Sequence, residues 1–266
     1  MSSKPTLVFV PGAWHSADTW KKVSTILETE HQFKCIPVAL PSTKSDPTAT
    51  LLDDIEAVRS VVLAETTQGR DVVVVVHSYG GIPGQSAIRG FALPRGKHDT
   101  PFSPSPPAQN KTSGHVIGLI VMASGFVVPA KSFLDGLGGQ PPPSWRLEPE
   151  SGFAVIVADP RELFYHDLAE EEGKEWVSKL TKHSLKTLTE GGEHTYAGWM
   201  DVPVWYLATK DDKALPVEAQ RMFVQMARDG GAHITLREIN SSHSPMLSRP
   251  EETVQFILDA TNAFLG

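Results

Sequence analysis

A serine, a histidine and a carboxylate stand where their types and spacing could together perform nucleophilic chemistry. Ser78 lies in Val76-His77-Ser78-Tyr79-Gly80-Gly81, directly after the run Val72-Val73-Val74-Val75-Val76. A serine hydroxyl is a weak nucleophile, so it needs a neighbouring base, and the base needs a group to orient it. His243, in Ser241-Ser242-His243-Ser244-Pro245, supplies the base. Asp212, in Lys210-Asp211-Asp212-Lys213, supplies the carboxylate, with Asp211 as the alternative on position alone. The chain order Ser, Asp, His suits a serine carried on a strand–turn–helix elbow. The chemistry would be acyl transfer, which also needs N–H donors aimed at a developing oxyanion. The N–H of Tyr79 follows the nucleophile directly. A second donor, the N–H of Ala13, would come from the loop Pro11-Gly12-Ala13-Trp14-His15-Ser16, to which Gly12 gives backbone freedom.

Each residue also has a plain structural reading. Ser78 could cap a helix, either aspartate could do the same, and His243 could sit on a surface loop. The elements that must position them argue otherwise. Short apolar runs alternate with longer amphipathic stretches, which predicts strand–helix units and a mainly parallel sheet, an α/β class. Strands are expected at 6–10, 34–38, 72–77, 116–123, 204–209 and 234–239. The valine run marks a central strand covered on both faces. Helices are expected at 17–30, 50–67, 80–91, 216–228 and 250–264. Ser78, Asp212 and His243 then all follow strands and lie beyond the carboxyl edge of the sheet, where open α/β sheets bind ligands. Three matching types in order and in place are far more specific than any one of them.

Composition narrows the rest. The chain has 266 residues, enough for one α/β domain with a sizeable core. Its formal net charge of -7 argues against nucleic acid or an anionic membrane as partner. The single cysteine, Cys35, precludes an intrachain disulfide and reads as a small apolar core residue rather than a reactive thiol. The start Met1-Ser2-Ser3-Lys4-Pro5 runs straight into the first strand, without room for a signal peptide, and no apolar run is long enough to span a membrane. A cytoplasmic protein is expected. No histidine shows ligand spacing such as His-Glu-x-x-His, and no Rossmann glycine pattern occurs, so neither a metal nor a cofactor is expected.

Two regions break the alternation. Residues 94–114 are rich in Pro, Ser, Lys and Asn and read as a flexible surface insertion within a first core part, 1–128. Residues 129–201 hold helix-like stretches at 161–169 and 170–189 and read as a helical cap between two late strands, after which 202–266 complete the core. The cap carries many large apolar side chains. Most would pack it onto the core; the others would line a pocket over Ser78. From the core, Gly12, Trp14, His15 and Met246 are candidates for that pocket. From the loop after the fourth strand and from the cap, Phe126, Trp145, Phe164 and Trp199 are candidates. His77 should point away from the site by strand alternation, and His166, His183 and His194 are expected on the cap surface.

Taken together, Val10-Pro11-Gly12-Ala13-Trp14-His15, Val76-His77-Ser78-Tyr79-Gly80-Gly81, Asp212-Lys213-Ala214-Leu215-Pro216 with Gln220, and His243-Ser244-Pro245-Met246-Leu247-Ser248 with Pro250 carry a family likeness. They resemble the small α/β-hydrolases that include plant methyl-ester esterases and hydroxynitrile lyases. The resemblance implies the α/β-hydrolase fold, the oxyanion donors Ala13 and Tyr79, and Asp212 rather than Asp211 as the acid. The chain departs from the family at Pro11, where many members have His, and at Val76, where they have Gly. Lyases of the group carry Lys directly after the histidine; here Ser244 stands there, which removes the main support for lyase chemistry. The resemblance therefore implies a serine esterase or lactonase acting on a small hydrophobic or aromatic substrate through an acyl-Ser78 intermediate. A biosynthetic enzyme of the same fold (cyclisation, acyl transfer or C–C cleavage on a polyketide-like molecule) and a ligand-binding receptor are the alternatives. A homodimer is compatible with all three.

Overall fold

The computed structural model describes residues 4–93 and 113–266. The insertion expected at 94–114 lies outside the described residues except for Ser113 and Gly114. Among the described residues the strands are β1 (Thr6–Val10), β2 (Lys34–Pro37), β3 (Val72–His77), β4 (Val116–Met122), β5 (Trp145–Glu148), β6 (Phe153–Ile156), β7 (His183–Ser184), β8 (Val204–Thr209) and β9 (Ile234–Ile239). The helices are α1 (Lys21–Thr29), α2 (Leu51–Thr66), α3 (Gly81–Ala87), α4 (Phe133–Gly136), α5 (Pro160–Phe164), α6 (Glu170–Ser178), α7 (Lys186–Thr189), α8 (Val217–Asp229), α9 (Pro245–Ser248) and α10 (Pro250–Leu265).

Six strands form one sheet in the order β2-β1-β3-β4-β8-β9, and every neighbouring pair runs parallel. β3, five valines followed by His77, is buried at every position and sits between β1 and β4. β-Branched side chains pack both faces there, each such burial stabilising by roughly 1.5–3 kcal/mol. The flanking helices start and pack as their sequences require. α2 begins at a capping box in which Thr50 Oγ1 accepts from Asp53 N–H while Asp53 accepts from Thr50 N–H, worth about 1 kcal/mol. α8 buries Val217, Gln220, Val224 and Ala227 along one stripe. Cys35 is half-buried in β2, and burial, helped by Glu28, pushes its thiol up to about 12. Among the described residues no helix is long and apolar enough to cross a membrane.

Some boundaries differ from the expected ones. The stretch 17–30 opens with a 3-10 turn, Ala17–Trp20, because Ser16 caps it by accepting from Asp18 N–H before α1 begins. α3 ends at Ala87, and the chain turns at Gly90, whose φ is +82°. The cap lies between β4 and β8 and carries α4 to α7. In place of a purely helical cap, it also holds a three-stranded antiparallel sheet, β5-β6-β7. Its strands of two to four residues are too short for periodicity to separate from loop. The expected helix over 170–189 breaks into α6, β7 and α7 because His183 pairs with Ala154, and Ser184 Oγ donates to the Ala49 carbonyl.

Candidate active site

Because the sheet is parallel, the loops after β1, β3, β4, β8 and β9 meet at one edge. Ser78 leaves β3 with φ +50° and opens a 3-10 turn, Ser78–Gly80, that leads into α3. A left-handed φ is costly for any residue with a Cβ, by roughly 1–2 kcal/mol. Trp14 (φ +60°) after β1 and Ala123 (φ +45°) after β4 share it, and all three line one cavity. Such strain persists where surrounding structure over-determines it, and it concentrates at functional sites. The elbow is also crowded. A Cβ on Gly80 would lie 2.4 Å from the Pro11 carbonyl oxygen and 2.7 Å from that of Val10. Gly80→Ala is therefore expected to destabilise the fold by about 3 kcal/mol, read as a lowered thermal midpoint; an unchanged midpoint would contradict the close approach. Val76, which replaces the family's usual glycine, is accommodated by Gly84 on α3, where a Cβ would lie 2.4 Å from Val76 Cγ1.

His243 follows β9, and its Nδ1 lies 2.8 Å from Asp212 Oδ2. Both side chains are buried. The carboxylate is held on every side: Oδ1 accepts from the N–H groups of Ala214 and Leu215, both at 2.8 Å. Oδ2 also accepts from Thr209 Oγ1 at 2.7 Å and Gln220 Nε2 at 3.2 Å. Asp212 is thus the partner of His243, whereas the Asp211 side chain is exposed. Since the carboxylate only accepts, His243 Nδ1 carries the proton and Nε2 presents a lone pair. Ser78 and His243 both face the cavity, so a hydroxyl and an oriented imidazole share one chamber. Tyr79 and Ala13 line the same cavity. The N–H of Tyr79 lies in the first turn of a helix, where no intrahelical acceptor exists. A hydroxyl, an imidazole oriented by a carboxylate and a helix N-terminus, the groups that acyl transfer calls for, thus border one cavity.

The cavity measures about 340 Å³ and is walled mostly by apolar side chains. Trp14, Phe126, Trp145, Phe164 and Trp199 stand on its wall. Three residues expected there do not. Gly12 is packed beneath the elbow, where a Cβ would come within 3.0 Å of His77 Nδ1 and 3.1 Å of Ser78 Cβ. His15 turns away from the cavity, its Nδ1 2.6 Å from the Ala13 carbonyl and its Nε2 2.7 Å from Tyr165 Oη. Met246, on α9, is fully buried in the core. Phe133, one of the large apolar cap side chains, also lines the cavity, and so do Ile82, Phe223 and Met226, which the sequence reading does not single out. On α8 a signal existed: Phe223 and Met226 are large apolar residues off the buried stripe of Val217, Gln220, Val224 and Ala227.

Buried histidines surround the site. His77 points into the core, where its Nε2–H donates to the His243 carbonyl at 2.8 Å and its ring lies 4.7 Å from that of His243. His183, expected on the cap surface, is fully buried; it meets Thr187 Oγ1 at 3.0 Å and stands edge-on to Tyr79. Burial drives His15 down to about 4 and His183 to about 3, and it holds His77 well below its ordinary range. These rings stay neutral in the fold but protonate near 6.5 once the chain unfolds. Between pH 6.5 and 4 the unfolded chain therefore binds more protons, so stability is full above that window and falls as pH drops through it. The expected slope is up to about 1.4 kcal/mol per pH unit for each ring. Urea midpoints at pH 7.5, 6 and 5 should fall in that order; a constant midpoint would contradict it.

A parallel α/β sheet with a strained serine elbow, a cap and an Asp–His pair at its carboxyl edge defines an α/β hydrolase. Residues 7–256 match the alpha/beta hydrolase family, and the chain belongs to it. It is 28% identical to alpha/beta hydrolase nvfD of Aspergillus novofumigatus over 260 residues, 97% of this chain and 96% of that one. It is 22% identical to methylesterase 1 of Arabidopsis thaliana over 272 residues, 98% of each chain. Among solved structures, polyneuridine aldehyde esterase superposes with a TM-score of 0.70 at 21% identity, covering 97% of this chain and 99% of that one.

Proposed function

We propose that this α/β hydrolase cleaves a small hydrophobic or aromatic carboxylic ester or lactone through an acyl-Ser78 intermediate. The observation that carries the reading is the apolar cavity of about 340 Å³ that joins Ser78 to a histidine hydrogen-bonded at 2.8 Å to a buried carboxylate. In the proposed cycle His243 Nε2 takes the Ser78 proton as Oγ attacks the carbonyl carbon, and Asp212 stabilises the imidazolium that results. The N–H groups of Ala13 and Tyr79 receive the oxyanion. His243 returns its proton to the departing alkoxide, then takes a proton from the water that attacks the acyl carbon and passes it to Ser78 Oγ as the acid is released. Neutral His77 suits this role, because a second cation 4.7 Å away would oppose the imidazolium. The chemistry draws on side chains and backbone alone, in a cytoplasmic protein.

The apolar wall also fits a substrate that displaces water, in which case a hydroxyl of the substrate itself could accept the acyl group and the enzyme would serve a biosynthetic cyclisation or transfer. Product analysis separates the two. Incubation with a fluorophosphonate followed by peptide mapping should place the adduct on Ser78, and p-nitrophenyl esters of increasing chain length should be turned over. An unlabelled Ser78 together with no turnover would sink the reading.

A further inference from the structure

One short cap segment touches three of the loops that meet at this site, those after β1, β8 and β9. α5 ends at Phe164, and the chain then crosses the ends of β1, β8 and β9. Tyr165 Oη donates to His15 Nε2 at 2.7 Å, and His15 Nδ1–H donates onward to the Ala13 carbonyl at 2.6 Å. A carbonyl only accepts, so the His15 tautomer is fixed, and the phenol and the oxyanion loop are tied in one chain of hydrogen bonds. His166 Nε2–H donates at 2.8 Å to the carbonyl of Asp211, the residue next to the acid. Asp167 Oδ2 accepts from Ser242 N–H at 2.9 Å, and Ser242 Oγ donates to the Phe164 carbonyl at 3.0 Å; both hold the residue before His243.

We propose that 164–167 is a positioning strap that holds the oxyanion loop, the acid turn and the histidine turn in mutual register, and so sets kcat rather than substrate affinity. The proposal rests on the esterase reading above for its kinetic part. The sheet alone cannot supply this register, because β1 and β9 are separated by β3, β4 and β8. The acid and histidine turns are also joined directly, Lys210 N–H donating to the Ile239 carbonyl at 2.9 Å and Asp211 N–H to the Ser241 carbonyl at 3.1 Å, but neither bond reaches the oxyanion loop after β1. From within the core, His77 adds one tie to the His243 carbonyl, but it reaches neither Asp211 nor the phenol. Misplacing a catalytic group by about 1 Å can cost on the order of 100-fold in rate, so a strap of a few hydrogen bonds has leverage beyond its own strength. Phe164 also lines the cavity, with its ring 5.6 Å from that of His243, so the strap begins at the substrate wall.

Tyr165→Phe keeps the buried ring and removes only the phenolic donor. It should lower kcat about 10-fold and leave KM within about twofold. Asp167→Ala should do the same, and Asp167→Asn, whose side-chain oxygen still accepts from Ser242 N–H, should recover most of the loss. Hydrogen exchange supplies a readout independent of any substrate. Peptides covering 11–16 should exchange faster in Tyr165→Phe, and those covering 240–245 faster in Asp167→Ala but not in Asp167→Asn. Unchanged exchange in both loops overturns the strap whether or not the protein cleaves esters. So does intact kcat in both variants, or a joint loss of stability, kcat and KM that Asp167→Asn fails to rescue, which would mark ordinary cap packing. Faster exchange without any wild-type ester turnover would instead retain the ties and overturn the esterase reading.

Discussion

Ser78→Ala is expected to lower kcat for ester cleavage by about 10⁵-fold, with KM nearly unchanged. The loss is large because in the proposed cycle serine supplies the bond-forming atom. A residual rate above that in water is expected from the Ala13 and Tyr79 N–H groups and from binding alone. The substitution should leave the fold intact. The Ser78 backbone carbonyl accepts from Ser124 Oγ at 2.6 Å, and alanine retains that bond. Alanine also tolerates φ +50° no worse than serine does. Thermal midpoints within a degree or two, together with lost fluorophosphonate labelling, would therefore isolate chemistry from stability. Turnover within tenfold of the parent would remove Ser78 from the mechanism.

The core was legible because its signals are local and repeated. Five consecutive valines admit few readings other than a two-sided strand, and β1, β8 and β9 have the expected bounds. Placement of Ser78, Asp212 and His243 followed, since in a parallel sheet every strand's carboxyl end opens on one edge. The pocket was less legible. Alternation assigns a residue to a face, but it does not reveal the partner that captures its side chain. His15 follows β1 as a pocket residue would, yet Tyr165, 150 positions away in the chain, claims its ring. His183 looks like a cap surface residue until Thr187 and Tyr79 enclose it. The cap sheet stayed hidden for a related reason. Its strands of two to four residues are defined by antiparallel partners and not by their own pattern.

Asp211 and Asp212 pose the sharpest case of this limit, and exchanging each for asparagine distinguishes them. Asp212→Asn is expected to lower kcat by about 10³–10⁴-fold at neutral pH. Asparagine keeps the shape but brings an NH₂ group into a ring of donors: Ala214 N–H, Leu215 N–H, Thr209 Oγ1 and Gln220 Nε2 all point at the carboxylate. If the amide oxygen satisfies the two backbone donors, its NH₂ faces His243 Nδ1, which must then accept. The imidazole would adopt the opposite tautomer, with a proton on Nε2 and no lone pair for Ser78. The charge that stabilises the imidazolium is lost as well. Asp211→Asn should change kcat by less than about twofold, because its side chain is exposed and His166 uses only its backbone carbonyl. Since Asp212 anchors its own turn, the variant's thermal midpoint should also fall. Rates are therefore normalised to active sites titrated with the fluorophosphonate. Equal losses in the two variants, or a loss below tenfold in Asp212→Asn, would show that the carboxylate at 2.8 Å from His243 is a structural anchor and not the group that orients the base.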